Sequence, residues 1–157
     1  MGKNMITIGF LANYLDSIPT LAKWFRDQWP DYYVDISQGG IEQGFLEEAS
    51  HDRLPIRLIA FESNELAGTI ILREHGSVNL PGFQPELGGL FVEEGHRGHG
   101  IGTGLIGAGM KLALDLGYET VYATTVNATG ILERLGWKFM KTVIHRYEQL
   151  ALYQCKL

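Results

Sequence analysis

Apolar residues change period along this chain, and the changes divide it into elements. Residues 5 to 12 read as a first strand or the start of a loop. From Ile18 to Trp29, Leu21, Trp24, Phe25 and Trp29 follow a helical spacing that Pro30 stops, so a helix is expected there. A second helix is expected over Ile41 to Ala49. Ile56 to Phe61 is apolar and β-branched, Glu62 to Glu65 is turn-like, and Leu66 to Arg73 reads as the hairpin partner. Glu74 to Pro85 holds Gly76, Asn79, Pro81, Gly82 and Pro85 and is expected to be a long loop, of the kind that carries function.

Leu87 to Val92 reads as a strand. Ile101 to Leu116 reads as a helix whose inner face takes Ile101, Leu105, Ile106, Met110, Ala113 and Leu114, with Gly117 as its C-cap. Thr120 to Val126 is a strand and Thr129 to Leu135 a short helix stopped by Gly136. Trp137 to Arg146 and Glu148 to Lys156 are two final strands. An antiparallel run followed by a strand-helix-strand unit with a right-handed crossover predicts an α+β domain around one mixed sheet, spanning residues 1–157.

The stretch "EEGHRGHGIGTG", residues 93–104, lies between an expected strand and an expected helix. Gly98, Gly100 and Gly102 let the backbone bend sharply and come close to a ligand. The first amides of the following helix lack internal partners and face outward at the positive end of the helix dipole, where phosphate binds. Arg97 adds a charged clamp. The stretch reads as a pyrophosphate cradle. A Walker loop would need lysine and a hydroxyl residue after its second glycine, and Thr103-Gly104 stand there. The G-x-G-x-x-G at 102–107 falls inside the helical pattern and is taken as chance. What is left is R-x-x-G-x-G, Arg97 to Gly102.

Composition narrows the partners. The 157 residues suit one domain, and 45% hydrophobic with 20% charged is ordinary for a globular chain. The net charge is −5 with no lysine-arginine cluster, which argues against nucleic acid and is compatible with a cationic substrate. No apolar run is long enough to cross a membrane, Met1 to Phe10 lacks the features of a signal peptide, and Cys155 has no partner for an internal disulfide. A cytoplasmic protein with no membrane partner is expected. His96 and His99 have no third or fourth ligand beside them in the sequence, so no metal is expected.

"LFVEEGHRGHGIGTGLI" and "ETVYATTVNATGILERLGWKF" together resemble the GCN5-related N-acetyltransferases, GNAT, in the acetyl-CoA loop, the strand ending in Asn127 and the Leu135-Gly136-Trp137 ending. The resemblance runs from about Ile6 to Arg146. It implies a layered α/β/α fold whose two parallel strands, Leu87–Val92 and Thr120–Val126, splay into a slot. It further implies that the slot takes acetyl-CoA as co-substrate. Phe91 and Val92 would offer backbone groups to the pantetheine arm. The loop Arg97, Gly98, His99, Gly100, Ile101, Gly102 and Thr103 would take the pyrophosphate, and Asn127 would contact the arm, cap the next helix, or both.

The implied reaction is direct acetyl transfer to a primary amine; the acidic balance and the absence of a peptide-groove signal favour a small molecule over protein tails as its bearer. Glu86, at the start of the cofactor strand, is either the general base or a solvated loop-end carboxylate. His96 is a second candidate base, with a surface role as its alternative. Many relatives carry a proton-donating tyrosine where this chain has Leu132. That departure leaves room for a non-catalytic acyl-CoA-binding module, beside a protein N-acetyltransferase. A nucleotide-binding protein is a further alternative. Homodimers are common among relatives, and the final strands offer a way to pair between chains.

Overall fold

The computed structural model describes residues 5–76 and 80–157; the start of the chain and Asn79 of the long loop lie outside the described residues. The elements are β1 (Ile6–Phe10), α1 (Ile18–Gln28), α2 (Gln38–Leu46), β2 (Ile56–Glu62), β3 (Glu65–Arg73) and β4 (Glu86–Val92). After them come α3 (Ile101–Asp115), β5 (Thr120–Thr125), α4 (Thr129–Arg134), β6 (Lys138–His145) and β7 (Glu148–Lys156). One seven-stranded sheet runs β1-β2-β3-β4-β5-β7-β6. Neighbours are antiparallel except β4 and β5, which are parallel and joined through α3.

The two faces of the sheet are covered by different helices. On one, α3 lays Ile101, Leu105, Ile106, Leu112 and Ala113 over Leu58, Ile70, Leu72, Leu87 and Val121. Leu114 is more than half exposed. At about 100° per residue it falls on the far side of the helix from Ile101, and Leu112 takes the place expected for it. Gly109 brings α3 so near β4 that a Cβ there would overlap Leu87. On the other face, α1 and α2 pack Ile18, Leu21, Phe25, Ile41 and Phe45 against Ile59. Pro19 opens α1 without loss of a backbone bond, since the first helical amides have no partner in any case. Helix α2 begins three residues earlier than its apolar pattern, because Ser37 caps it by accepting from the Gly40 amide at 3.0 Å.

The β2–β3 and β6–β7 turns carry positive φ at Ser63-Asn64 and Arg146-Tyr147, the two-residue hairpin geometry that follows strand twist. A bulge interrupts β4. Thr69 faces Phe91 and Ile71 faces Gly88, so Gly89 and Leu90 together oppose Ile70, with Gly89 at φ +58°. Beyond the bulge β4 leaves β5. Among the described residues the two strands are paired in register only at Glu86 and Tyr122, with the Tyr122 amide donating to Pro85 at 3.0 Å.

Candidate active site

The divergence of β4 from β5 leaves a wedge between two parallel strands. Gly102 at the start of α3 faces Leu90 and Val92 of β4 and Ile131 of α4, so strand, helix and helix meet at the mouth of the wedge. The glycine loop closes that end. A 3₁₀ turn over Glu94–His96 follows β4, and Gly98 (φ +80°) and Gly100 (φ +85°) then turn the chain into α3. Gly100 is the N-cap and supplies no side-chain bond, so no side chain competes for the outward amides of the first turn. Among the described residues, and apart from the chain neighbours, nothing lies within 4 Å of where a Cβ of Gly98 or Gly100 would stand. This surface fits a pyrophosphate: open, lined by unpartnered amides, at the positive end of a fifteen-residue helix.

The residues that the resemblance assigns to the cofactor occupy the following places. Arg97 is exposed and donates Nε to the Val92 carbonyl at 2.9 Å, which folds it back over the end of β4. Ile101 is buried in the core and Thr103 is exposed on the first turn. The Phe91 side chain packs into an aromatic group with Trp24, Phe25 and Trp29, at ring distances of 5.5, 5.8 and 6.2 Å. Its carbonyl is turned toward Gly68 of β3. By the alternation of a strand, the slot-side backbone groups therefore belong to Val92 and to Leu90, which the sequence reading missed. Asn127 is exposed in the bend between β5 and α4. The cap of α4 is Ala128, with no side-chain bond, so the capping role expected for Asn127 is not present.

Glu86 and His96 are not brought together. They stand at the start of β4 and beyond its end, and the seven residues of the strand span about 20 Å. Glu86 is not the solvated carboxylate of a loop end. It is 5% exposed and shares the face away from α3 with its register partner Tyr122. Arg73 donates to it from β3 through Nη2 at 2.9 Å, and Gly76 of the long loop packs on the carboxylate so closely that a Cβ would overlap it. Burial pushes its pKa up, and Arg73 pulls partly the other way. Arg73 was absent from the sequence candidates. Its signal was the antiparallel register of the two strands, which sets Arg73 opposite Glu86.

Beside Arg73 opens a groove of about 290 Å³, lined by Glu48, Leu54, Pro55, Ile71, Arg73, Glu74 and His75. Arg57, buried behind it, is held by Glu48 at 2.6 Å and Thr69 at 3.1 Å and lies over the Phe25 and Phe45 rings. A larger hollow of about 380 Å³ between α1 and α2 takes no residue from the sheet. Leu132, where relatives place a tyrosine, is buried in the α3-side core. The Tyr153 hydroxyl donates to Glu133 at 3.1 Å.

The two histidines of the loop do have company. His96 Nδ1 lies 2.5 Å from Glu62 Oε1, and His99 Nδ1 lies 2.8 Å from Glu62 Oε2. The sequence could not show this third donor, because Glu62 ends a strand more than thirty residues away.

Residues 18–137 match the model of the acetyltransferase (GNAT) family. No curated protein matches the chain in sequence. Among solved structures, an aminoglycoside 6'-acetyltransferase type Ii is similar at 22% identity and a TM-score of 0.73, over 97% of this chain and 96% of that one. The yncA protein of Salmonella typhimurium, solved with its cofactor acetyl-CoA, is 14% identical with a TM-score of 0.71, over 96% and 93%. A ribosomal-protein-alanine N-acetyltransferase from Brucella melitensis is 17% identical with a TM-score of 0.72, over 98% and 99%. At these identities the likeness is one of fold, and it agrees with the mixed, splayed sheet. With the family match over most of its length and a sheet that opens between β4 and β5 above an amide-lined loop, the chain belongs to the GNAT acetyltransferase family.

Proposed function

We propose that this protein transfers an acetyl group from acetyl-CoA to a primary amine of a small molecule, with Glu86 as the general base. The observation that carries the reading is the position of Glu86: buried, with a raised pKa, at the residue where, among the described residues, β4 and β5 pair before the slot opens. Acetyl-CoA supplies the acyl group as a thioester. The amides from Gly98 to Thr103 hold its pyrophosphate (the Arg97 amide is taken by the Glu94 carbonyl), the slot-side backbone of β4 holds the arm, and amides there stabilise negative charge on the carbonyl oxygen. Glu86 accepts the proton that the amine must lose. Holding both reactants in one wedge supplies much of the remaining acceleration. With Leu132 buried and unable to donate, the leaving thiolate takes its proton from water.

The groove beside Arg73 is the acceptor site in this reading. Its volume suits a small ligand; with Glu48 held by Arg57 and Arg73 by Glu86, Glu74 is the carboxylate on its wall that favours a cation, as does the net charge of −5. The test is thiol release from acetyl-CoA with a panel of small amines and, separately, peptide N-termini. Release that depends on a small amine supports the proposal, and release with peptides alone points to a protein substrate. Leu132 favours a second reading, a non-catalytic acyl-CoA-binding module; acetyl-CoA binding without release from any acceptor would establish that instead.

A further inference from the structure

We propose that Glu62, His96 and His99 form a three-ligand zinc site that ties the glycine loop to the β2–β3 hairpin. Both imidazoles aim Nδ1 at the same carboxylate, and the three donor atoms lie within 4.8 Å of one another. A tetrahedral zinc ion with oxygen and nitrogen ligands at 2.0–2.2 Å needs its donors about 3.3 Å apart. The present separations of 2.5 Å and 2.8 Å reach that with a sub-ångström opening.

Four further features favour a cation here. Glu62 is 3% exposed, so its carboxylate is held by the packed end of β2 rather than by a mobile side chain. The outer nitrogen of His96, Nε2, faces the Glu65 carboxylate at 3.4 Å and that of Glu93 at 4.0 Å. A carboxylate behind a histidine fixes the tautomer that presents the other nitrogen to a metal. Three carboxylates around two imidazoles also leave the cluster rich in negative charge. His99 is the most exposed of the three, which leaves a path for the ion and a fourth position for water.

The ligands come from two parts of the fold. Glu62 is the last residue of β2, and the histidines flank Arg97-Gly98 in the loop that presents the α3 amides. An ion bound here fixes that loop. Tighter acetyl-CoA binding in the zinc form follows only if the proposed function holds; metal binding itself is read without the cofactor.

A tag-free chain, stripped with a chelator, is titrated with Co²⁺ and then with Zn²⁺. The expected result is one set of visible tetrahedral cobalt bands, saturating at one ion per chain and displaced by zinc. His99→Ala, at an exposed position, is expected to remain folded and to weaken binding by about tenfold or more. His96→Ala is expected to do the same, and His145→Ala to bind like the wild type. Absence of bands and of zinc binding in the wild type would overturn the proposal. So would wild-type affinity in both His96→Ala and His99→Ala.

Discussion

At the scale of single residues, Glu86 is the group on which the proposed chemistry depends. The active form of a general base is the deprotonated one, and burial holds the Glu86 pKa above the ordinary carboxylate range. The acid limb of kcat/KM is therefore expected at higher pH than a free carboxylate would give. Arg73 lowers the pKa, so Arg73→Ala should move that limb to still higher pH, while Glu86→Gln removes it and lowers kcat/KM by about 10²–10⁴-fold. A pH–rate series on the three proteins checks both. The same shift has a sign for stability: the folded chain binds this proton more readily than the unfolded one. The contribution of Glu86 thus falls as pH rises from below its unfolded pKa through its folded one. The residue was legible in the sequence as a carboxylate opening the cofactor strand, but its burial was not. Burial depended on Gly76 folding back over it and on Arg73 arriving from the neighbouring strand. Glu62 was less legible still, because only the packing of the hairpin against the glycine loop sets it beside His96 and His99.

At the scale of elements, local patterns placed nearly every helix and strand, and the differences have local causes. Helix α2 starts early on a Ser37 cap, and the inner face of α3 takes Leu112 in place of Leu114. The glycines at and before α3 have two uses. Gly98 and Gly100, ahead of the helix, turn the chain so that its first amides face outward, whereas Gly109 lets the helix settle onto β4. Gly109→Ala would force Leu87 or the helix to move, and about 1–3 kcal/mol of destabilisation is expected. Chemical denaturation measures it. Since Leu87 follows Glu86 directly, an acetyl-CoA affinity reduced in the same variant would show that helix seating shapes the slot. The bulge in β4 was not legible, since Gly88-Gly89 announces flexibility but not which strand it will distort.

At the scale of the whole molecule, element order dictated the mixed sheet, but not how far β4 and β5 part. That distance comes from a bulge in one strand and, among the described residues, a single residue pair between the two. The wedge, closed at one end by the amides of the glycine loop, is the feature on which the functional account rests. Its most direct test is calorimetric titration of acetyl-CoA into the wild type and into Gly100→Trp, whose indole would stand over the cradle at a residue with φ +85°. The account predicts binding of one molecule per wild-type chain, and loss of that binding in a variant that circular dichroism shows to be folded. No binding by the folded wild type, or undiminished binding by the variant, would contradict it.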